Sequence, residues 1–174
     1  MRWAGLAYRA HDPQWAWAPL SGDGAAAKGG RFNPKGMPAL YLALTIEGMF
    51  QEMSHGFAHR FEPLTVVTYE VDVDDVVDLR SDADRAAVGV ALADLACPWA
   101  LDVAQGRWPA SWDLVARLAS AGASGVLVPS FAVGATPLMT NLVLWRWGPD
   151  LPHRVEVHDP HGRLPRDMAS WGAP

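Results

Sequence analysis

Apolar residues recur along this chain with two periods, and the changes between them mark its elements. LTVVTYEVDVDDVVDL (64–79) opens with Val67, Tyr69, Val71 and Val73 alternating with Thr68, Glu70, Asp72 and Asp74. Alternation at every second position puts one side of a strand in a core and the other in water. Strands are also predicted over residues 4–10, in ALYLAL (39–44), in the apolar run 125–130, in NLVLWRW (141–147) and in RVEVHD (154–159). Helical spacing takes over after Thr45, a capping residue. There Ile46, Met49, Phe50 and Met53 predict one buried face on a helix reaching about Phe57. Ser81 opens a second helix running to about Ala96, with Asp82 and Asp84 in the first turn, where the backbone dipole favours negative charge. A third runs from Trp112 to Ala121 and exits at Gly122.

The Pro/Gly/Ala-rich stretch from Pro13 to Gly36 follows neither period and reads as a long loop, a feature that is usually functional in a compact domain. Beyond Pro160 the composition predicts irregular structure. Strands and helices mix without regular alternation, so the expected class is α+β. No repeat, linker or low-complexity segment divides the 174 residues, and one domain spanning 1–174 is expected.

Composition narrows the function. Half the residues are hydrophobic and 19% are charged, which fits a globular chain that folds without staples. Cys97, the single cysteine, excludes an internal disulfide and leaves no second thiol for a zinc knuckle. No signal-peptide run opens the chain and no stretch approaches the ~20 apolar residues that span a bilayer, so a reducing cytoplasm is the expected compartment. A net charge of −5 argues against nucleic acid as a ligand. Arg9, Lys28, Arg31 and Lys35 nevertheless cluster in a section with little acid before Glu47, which suits a local anion site. Nine tryptophans are many for this length, and Trp15, Trp17, Trp99, Trp108 and Trp112 sit in polar or Pro-rich surroundings. They read as packing residues or, alternatively, as a partner surface.

The most informative stretch is KGGRFNPKGMPALYLALTIEGMFQEM (28–53). Two consecutive glycines permit close backbone approach to a ligand, and exposed amides beside Lys28 and Arg31 suit a diphosphate. Taken alone, the loop reads equally as a tight turn with a solvated arginine. Neither GxGxxG nor GxxxxGK[ST] occurs, so a nucleotide would bind in another way. Glu52 falls at the edge of the predicted buried helix face, and Tyr41 lies on the strand before it. One carboxylate beside an aromatic ring suits a particular reaction. The nicotinamide of NAD already carries positive charge while it is bonded to ribose and departs as a neutral group, so departure needs no general acid. A single carboxylate can then stabilise the ribosyl oxocarbenium, whereas ordinary glycosidases use two.

Arg9 in the opening YR, the loop KGGRFNPKG, Tyr41 in ALYLAL, Glu52 in FQEM and Ser130 in LVPSF occur in the order and spacing of a known family. Together they resemble the RES domain, named for its arginine, glutamate and serine, and the resemblance covers most of the chain. It implies an ADP-ribosyltransferase-like fold of mixed sheets with flanking helices. It further implies a toxin of a bacterial toxin-antitoxin pair that consumes NAD by hydrolysis, phosphorolysis or ADP-ribosyl transfer to a protein target. A separate Xre-like antitoxin would block the active site. Carried over by residue, Arg31 and Arg9 would hold the NAD phosphates, Tyr41 would pack the nicotinamide end, Glu52 would steer the ribose and Ser130 would help position it. Lys28 and Gly30 would line the same loop, with Asn141 a further candidate at the next strand. The acceptor of ADP-ribose stays open between protein, water and phosphate, and no metal is expected.

Other readings compete. Glu52, His55 and His59 share one predicted helix and could ligate a metal, although a second carboxylate motif is missing. His158, Asp159 and His161 read more simply as a polar turn. Cys97 precedes a proline with no base beside it, and Ser130 lacks the GxSxG turn of a nucleophile. A non-enzymatic, Trp-rich interaction module is the alternative from a different class, and net charge disfavours a nuclease.

Overall fold

The computed structural model describes residues 1–54 and 62–169. Its elements, in chain order, are β1 (Trp3–His11), α1 (Asp23–Lys28), β2 (Leu40–Ala43), α2 (Ile46–Ser54), β3 (Thr65–Val73), β4 (Val76–Asp78), α3 (Asp82–Ala87), α4 (Leu92–Leu95), α5 (Trp99–Ala104), α6 (Ala110–Ser120), β5 (Gly125–Pro129), β6 (Thr140–Leu144) and β7 (His153–Val157). The seven strands form one sheet in the order β4-β5-β6-β2-β1-β3-β7. Neighbours run antiparallel except β4 and β5, which are parallel. The chain is a single compact α+β domain, as its pattern predicted.

One junction in the sheet positions everything that follows. β1 pairs with β3 along its whole length, yet it meets β2 only where Tyr8 faces Ala43. The two halves diverge beyond that point. Leu40, Leu42, Leu127, Leu142 and Leu144 of one half share a core with Ala7, Val67, Tyr69, Val71 and Val155 of the other. Each of these leucines and valines contributes ~1.5–3 kcal/mol on leaving water. A second core on the opposite side of β2, β5 and β6 packs Val126, Val128 and Val143 against Leu114, Val115 and Leu118 of α6. α2 lies over the junction, with Met49 against Ala10 and Ala43.

Several details depart from the expected elements. The long loop from Pro13 to Gly36 contains a 3-10 turn at Pro13–Trp15 and then α1. Its Ala25–Ala27 run is the best helix-forming composition available, Asp23 and Lys28 suit the dipole at its two ends, and Gly29 stops it at φ 75°. The helix expected over 81–96 is two helices. Ser81 does cap the first, its Oγ accepting from Asp84 N at 3.1 Å, but Gly89 adopts φ 66° and breaks the run. Thr45 caps α2 as expected, Oγ1 accepting from Gly48 N at 3.0 Å. Of the face assigned to that helix, however, Ile46 and Phe50 are 46% and 39% exposed. Its continuation to Phe57 lies outside the described residues, as do His55 and His59. α5, after Pro98, has no counterpart in the sequence pattern, and none of its residues is buried.

Buried and half-buried side chains hold the loop that follows β1. Trp147 Nε1 donates to Leu20 O at 3.0 Å, and Arg9 Nη1 reaches Ser21 O at 3.4 Å. His11 Nε2 donates to the Tyr69 hydroxyl at 2.6 Å, and that hydroxyl donates to Pro19 O at 2.8 Å. Burial, with the nearby Arg9 charge adding to it, pushes the His11 imidazole down to about 4. Among the described residues, no helix is long and apolar enough to cross a membrane.

Candidate active site

A cleft of about 450 Å³ opens beside β2 and β6, lined by Gly30, Arg31, Phe32, Tyr41, Glu52 and Asn141 together with Trp99, Phe131 and Val133. A second lobe of about 270 Å³ occupies the divergence of β1 from β2, between Arg9, Tyr8 and Ala43 on the strands and Met49 and Met53 on α2. Tyr41, Glu52 and Asn141 line both lobes and form the ridge between them.

Glu52 is fixed by one oxygen. Its Oε1 accepts from Ser130 Oγ at 2.5 Å and from Asn141 Nδ2 at 2.6 Å, lengths expected of charge-assisted bonds. Among the described residues Oε2 has no hydrogen-bond donor. Ser130 directly follows β5, and Asn141, the second residue of β6, pairs with Val128 on one side and Ala43 on the other. Three separate elements therefore converge on one carboxylate, a rigid way to hold a charge. α2 is also tied to the segment after β5, because Gln51 Nε2 donates to Val133 O.

Arg31 approaches from the opposite wall. Its Nη1 donates to Cys97 O at 2.6 Å and Leu95 O at 3.1 Å, and its Cζ sits 4.9 Å from the centre of the Phe131 ring. Those contacts use one nitrogen of three. Burial holds the guanidinium below the ordinary arginine range, against the opposing pull of Cys97, Glu52 and Tyr41.

Tyr41 is locked through its hydroxyl, which donates to Asn33 Oδ1 at 2.7 Å and accepts from Phe32 N at 3.0 Å. Burial pushes the pKa of the phenol well above its ordinary value, so it stays neutral and acts as a wall. Gly30 is needed because the same hydroxyl leaves no room for a side chain.

The structure thus brings Arg31, Tyr41, Glu52, Gly30 and Asn141 together at the larger lobe, with Ser130 joined to them through its bond to Glu52. Arg9 lines the smaller lobe, with its guanidinium against Ser21 O. Burial lowers the Arg9 value too. Lys28 ends α1, exposed, and lines neither lobe. Sequence reasoning missed Asn33, Ser111, Phe131 and Trp145 as contributors, and it read Trp99 and Trp112 as packing or partner-surface residues, Trp112 also as a helix start. Phe131 and Asn33 are adjacent to motif residues, a signal that was there to use. Among the described residues, no group of three or more His, Cys, Asp or Glu is placed to hold a metal ion. Asp159 accepts from Arg163 N and Leu164 N, which makes the C-terminal cluster a turn.

The seven-stranded sheet thus carries one anchored carboxylate, Glu52, between two lobes, one lined by Arg31 and the other by Arg9. Family comparison is specific: the RES domain matches residues 6–167, nearly the whole chain, and the protein belongs to that family. Membership is consistent with an NAD-related role in a toxin-antitoxin pair. No curated protein matches the chain.

Proposed function

We propose that this protein is the toxin component of a bacterial toxin-antitoxin pair, acting in the cytoplasm, that breaks the nicotinamide-ribose bond of NAD and passes ADP-ribose to a protein, water or phosphate. The observation that carries this reading is the Glu52 carboxylate, anchored through Oε1 by Ser130 and Asn141 in the same cleft as the Arg31 guanidinium. In this account Oε2 faces the ribose. As the pyridinium leaves with the bonding electron pair, positive charge develops across the anomeric carbon and the ring oxygen. A fixed carboxylate about 4 Å away stabilises that charge by about 4 kcal/mol at an effective dielectric near 20. That corresponds to roughly three decades in rate.

Nε and Nη2 of Arg31 are left to grip the diphosphate, and Arg9 takes its far side from the smaller lobe. Tyr41 walls the nicotinamide, and the Gly30 main chain lies close to the ligand. An Xre-like antitoxin covering this cleft is the expected partner, and no metal is required by the chemistry. A non-enzymatic interaction module is the second reading, drawing on the exposed Trp15, Trp17 and Trp108. Incubating purified protein with NAD labelled in the adenosine half, with and without phosphate and cell extract, separates the two. Nicotinamide appears in step with free ADP-ribose, its phosphorylated form or a labelled protein band. Intact NAD in every tube leaves only the interaction module.

A further inference from the structure

The arginine loop is held by three donors from distant parts of the chain. Trp112 Nε1 donates to Gly30 O at 2.8 Å, Ser111 Oγ to Arg31 O at 2.6 Å and Trp145 Nε1 to Phe32 O at 2.8 Å. Three consecutive carbonyls are therefore claimed by side chains of the first turn of α6 and the end of β6. Ser111 is fully buried and Trp112 nearly so, which makes these bonds costly to lose. On the other side of the same loop, Phe32 N donates to the Tyr41 hydroxyl.

This arrangement has a directional consequence. The Gly30–Arg31 peptide is trans, so its N–H points opposite the carbonyl that Trp112 holds. Among the described residues that N–H has no acceptor, and both residues line the larger lobe. Cys97 closes the frame, its carbonyl accepting from Arg31 Nη1 and its thiol lying 3.4 Å from Ser111 Oγ.

We propose that Ser111, Trp112 and Trp145 are positioning residues, a three-donor clamp that turns the Gly30–Phe32 main chain so that the Arg31 N–H and guanidinium together meet an oxygen-bearing part of the ligand. They act through the loop and touch no reacting atom. The proposal rests on the NAD reading above, from which it takes the ligand.

Ser111→Ala and Trp112→Phe each delete one clamp donor. Ser124→Ala is the matched control, since Ser124 is equally buried, its hydroxyl donates to Asp74 O in the turn between β3 and β4, and it lines neither lobe. Melting curves and circular dichroism set the folded fraction of each variant. Nicotinamide release then gives KM and kcat per folded molecule, and calorimetric titration with NAD gives Kd. The clamp predicts that KM and Kd rise at least fivefold in Ser111→Ala and Trp112→Phe. It predicts unchanged values in Ser124→Ala despite a comparable drop in Tm. Should the two clamp variants keep wild-type KM and Kd, their bonds are merely structural and the proposal is overturned. Wild-type protein that binds NAD without releasing nicotinamide fails the catalytic reading alone, and Kd still scores the clamp. Absence of NAD binding in wild type overturns both.

Discussion

Replacing Gly30 by Ala adds one carbon at the most crowded point of the cleft. Its Cβ would lie 2.5 Å from the Tyr41 hydroxyl oxygen, 2.6 Å from Asn33 Oδ1 and 3.1 Å from Tyr41 Cζ. Neither neighbour can swing aside freely. The phenol is bound to Asn33 Oδ1 at 2.7 Å and to Phe32 N at 3.0 Å, and Asn33 Nδ2 donates to the carbonyls of Ala25 and Met37, both at 2.9 Å. Overpacking a rigid site costs ~1–3 kcal/mol, and moving the phenol forfeits two hydrogen bonds at ~1 kcal/mol each. Together these amount to about 3–5 kcal/mol, which for a chain of this size lowers Tm by roughly 6–20 °C. Nicotinamide release should fall further than the folded fraction, because the same atoms wall the cleft. Gly24→Ala is the internal control. A Cβ at Gly24 meets open space within α1, and alanine there gains ~0.5–1 kcal/mol. Calorimetric melting of both variants beside wild type decides the matter. A Gly30→Ala protein melting within about 2 °C of wild type would mean that the loop yields easily, and the argument from close packing would be wrong.

Three further outcomes follow from the same geometry. His11 is held neutral by burial with its value near 4, while an unfolded histidine titrates near ~6.5. The unfolded chain therefore binds more protons between those values, and stability present above about pH 6.5 is lost as pH falls, by about 1.4 kcal/mol at pH 5.5. Urea unfolding at pH 7.5 and 5.5 should register that loss, and His11→Gln should flatten it; equal stability of wild type at both values counts against the buried neutral ring. Removing either anchor of Glu52 Oε1, by Ser130→Ala or Asn141→Ala, should slow nicotinamide release about tenfold or more, the worth of a hydrogen bond to a charged group. The double variant should lose less than the product of the two, since both act on one oxygen, and strict multiplicativity contradicts that coupling. Arg31→Lys keeps the charge but cannot hold two carbonyls, stack on Phe131 and still offer a planar fork, so KM for NAD should rise about tenfold, and an unchanged KM would show that charge alone suffices.

What the sequence revealed, and what it hid, divides by the range of the interaction. The period-two pattern of β3 was legible because each of its inward residues meets the core through the strand's own geometry. Thr45 and Ser81 were legible as caps because a cap is a local hydrogen bond. The convergence of Arg31, Tyr41 and Glu52 was reached through family resemblance and through the chemistry of a lone carboxylate, with no distance available. Exposure of Ile46 and Phe50 was not legible, since helical spacing says which residues share a face and not how wide the covered face is. α1 was hidden by the glycines and prolines around its alanines. The tryptophans show the limit most clearly. Trp112 and Trp145 reach carbonyls 82 and 113 residues away, and no periodicity in a sequence reports a bond of that range.

The measurement that bears most directly on the whole account is the rate of nicotinamide release by wild type and by Glu52→Gln at equal folded concentration. Glutamine keeps the size of the side chain and can still accept from Ser130 and Asn141, but it removes the charge that the developing ribosyl cation needs. The account predicts measurable release by wild type and a fall of about a thousandfold in the variant, with Tm nearly unchanged. A Glu52→Gln protein that released nicotinamide at the wild-type rate would show that the carboxylate is not the group on which the chemistry turns.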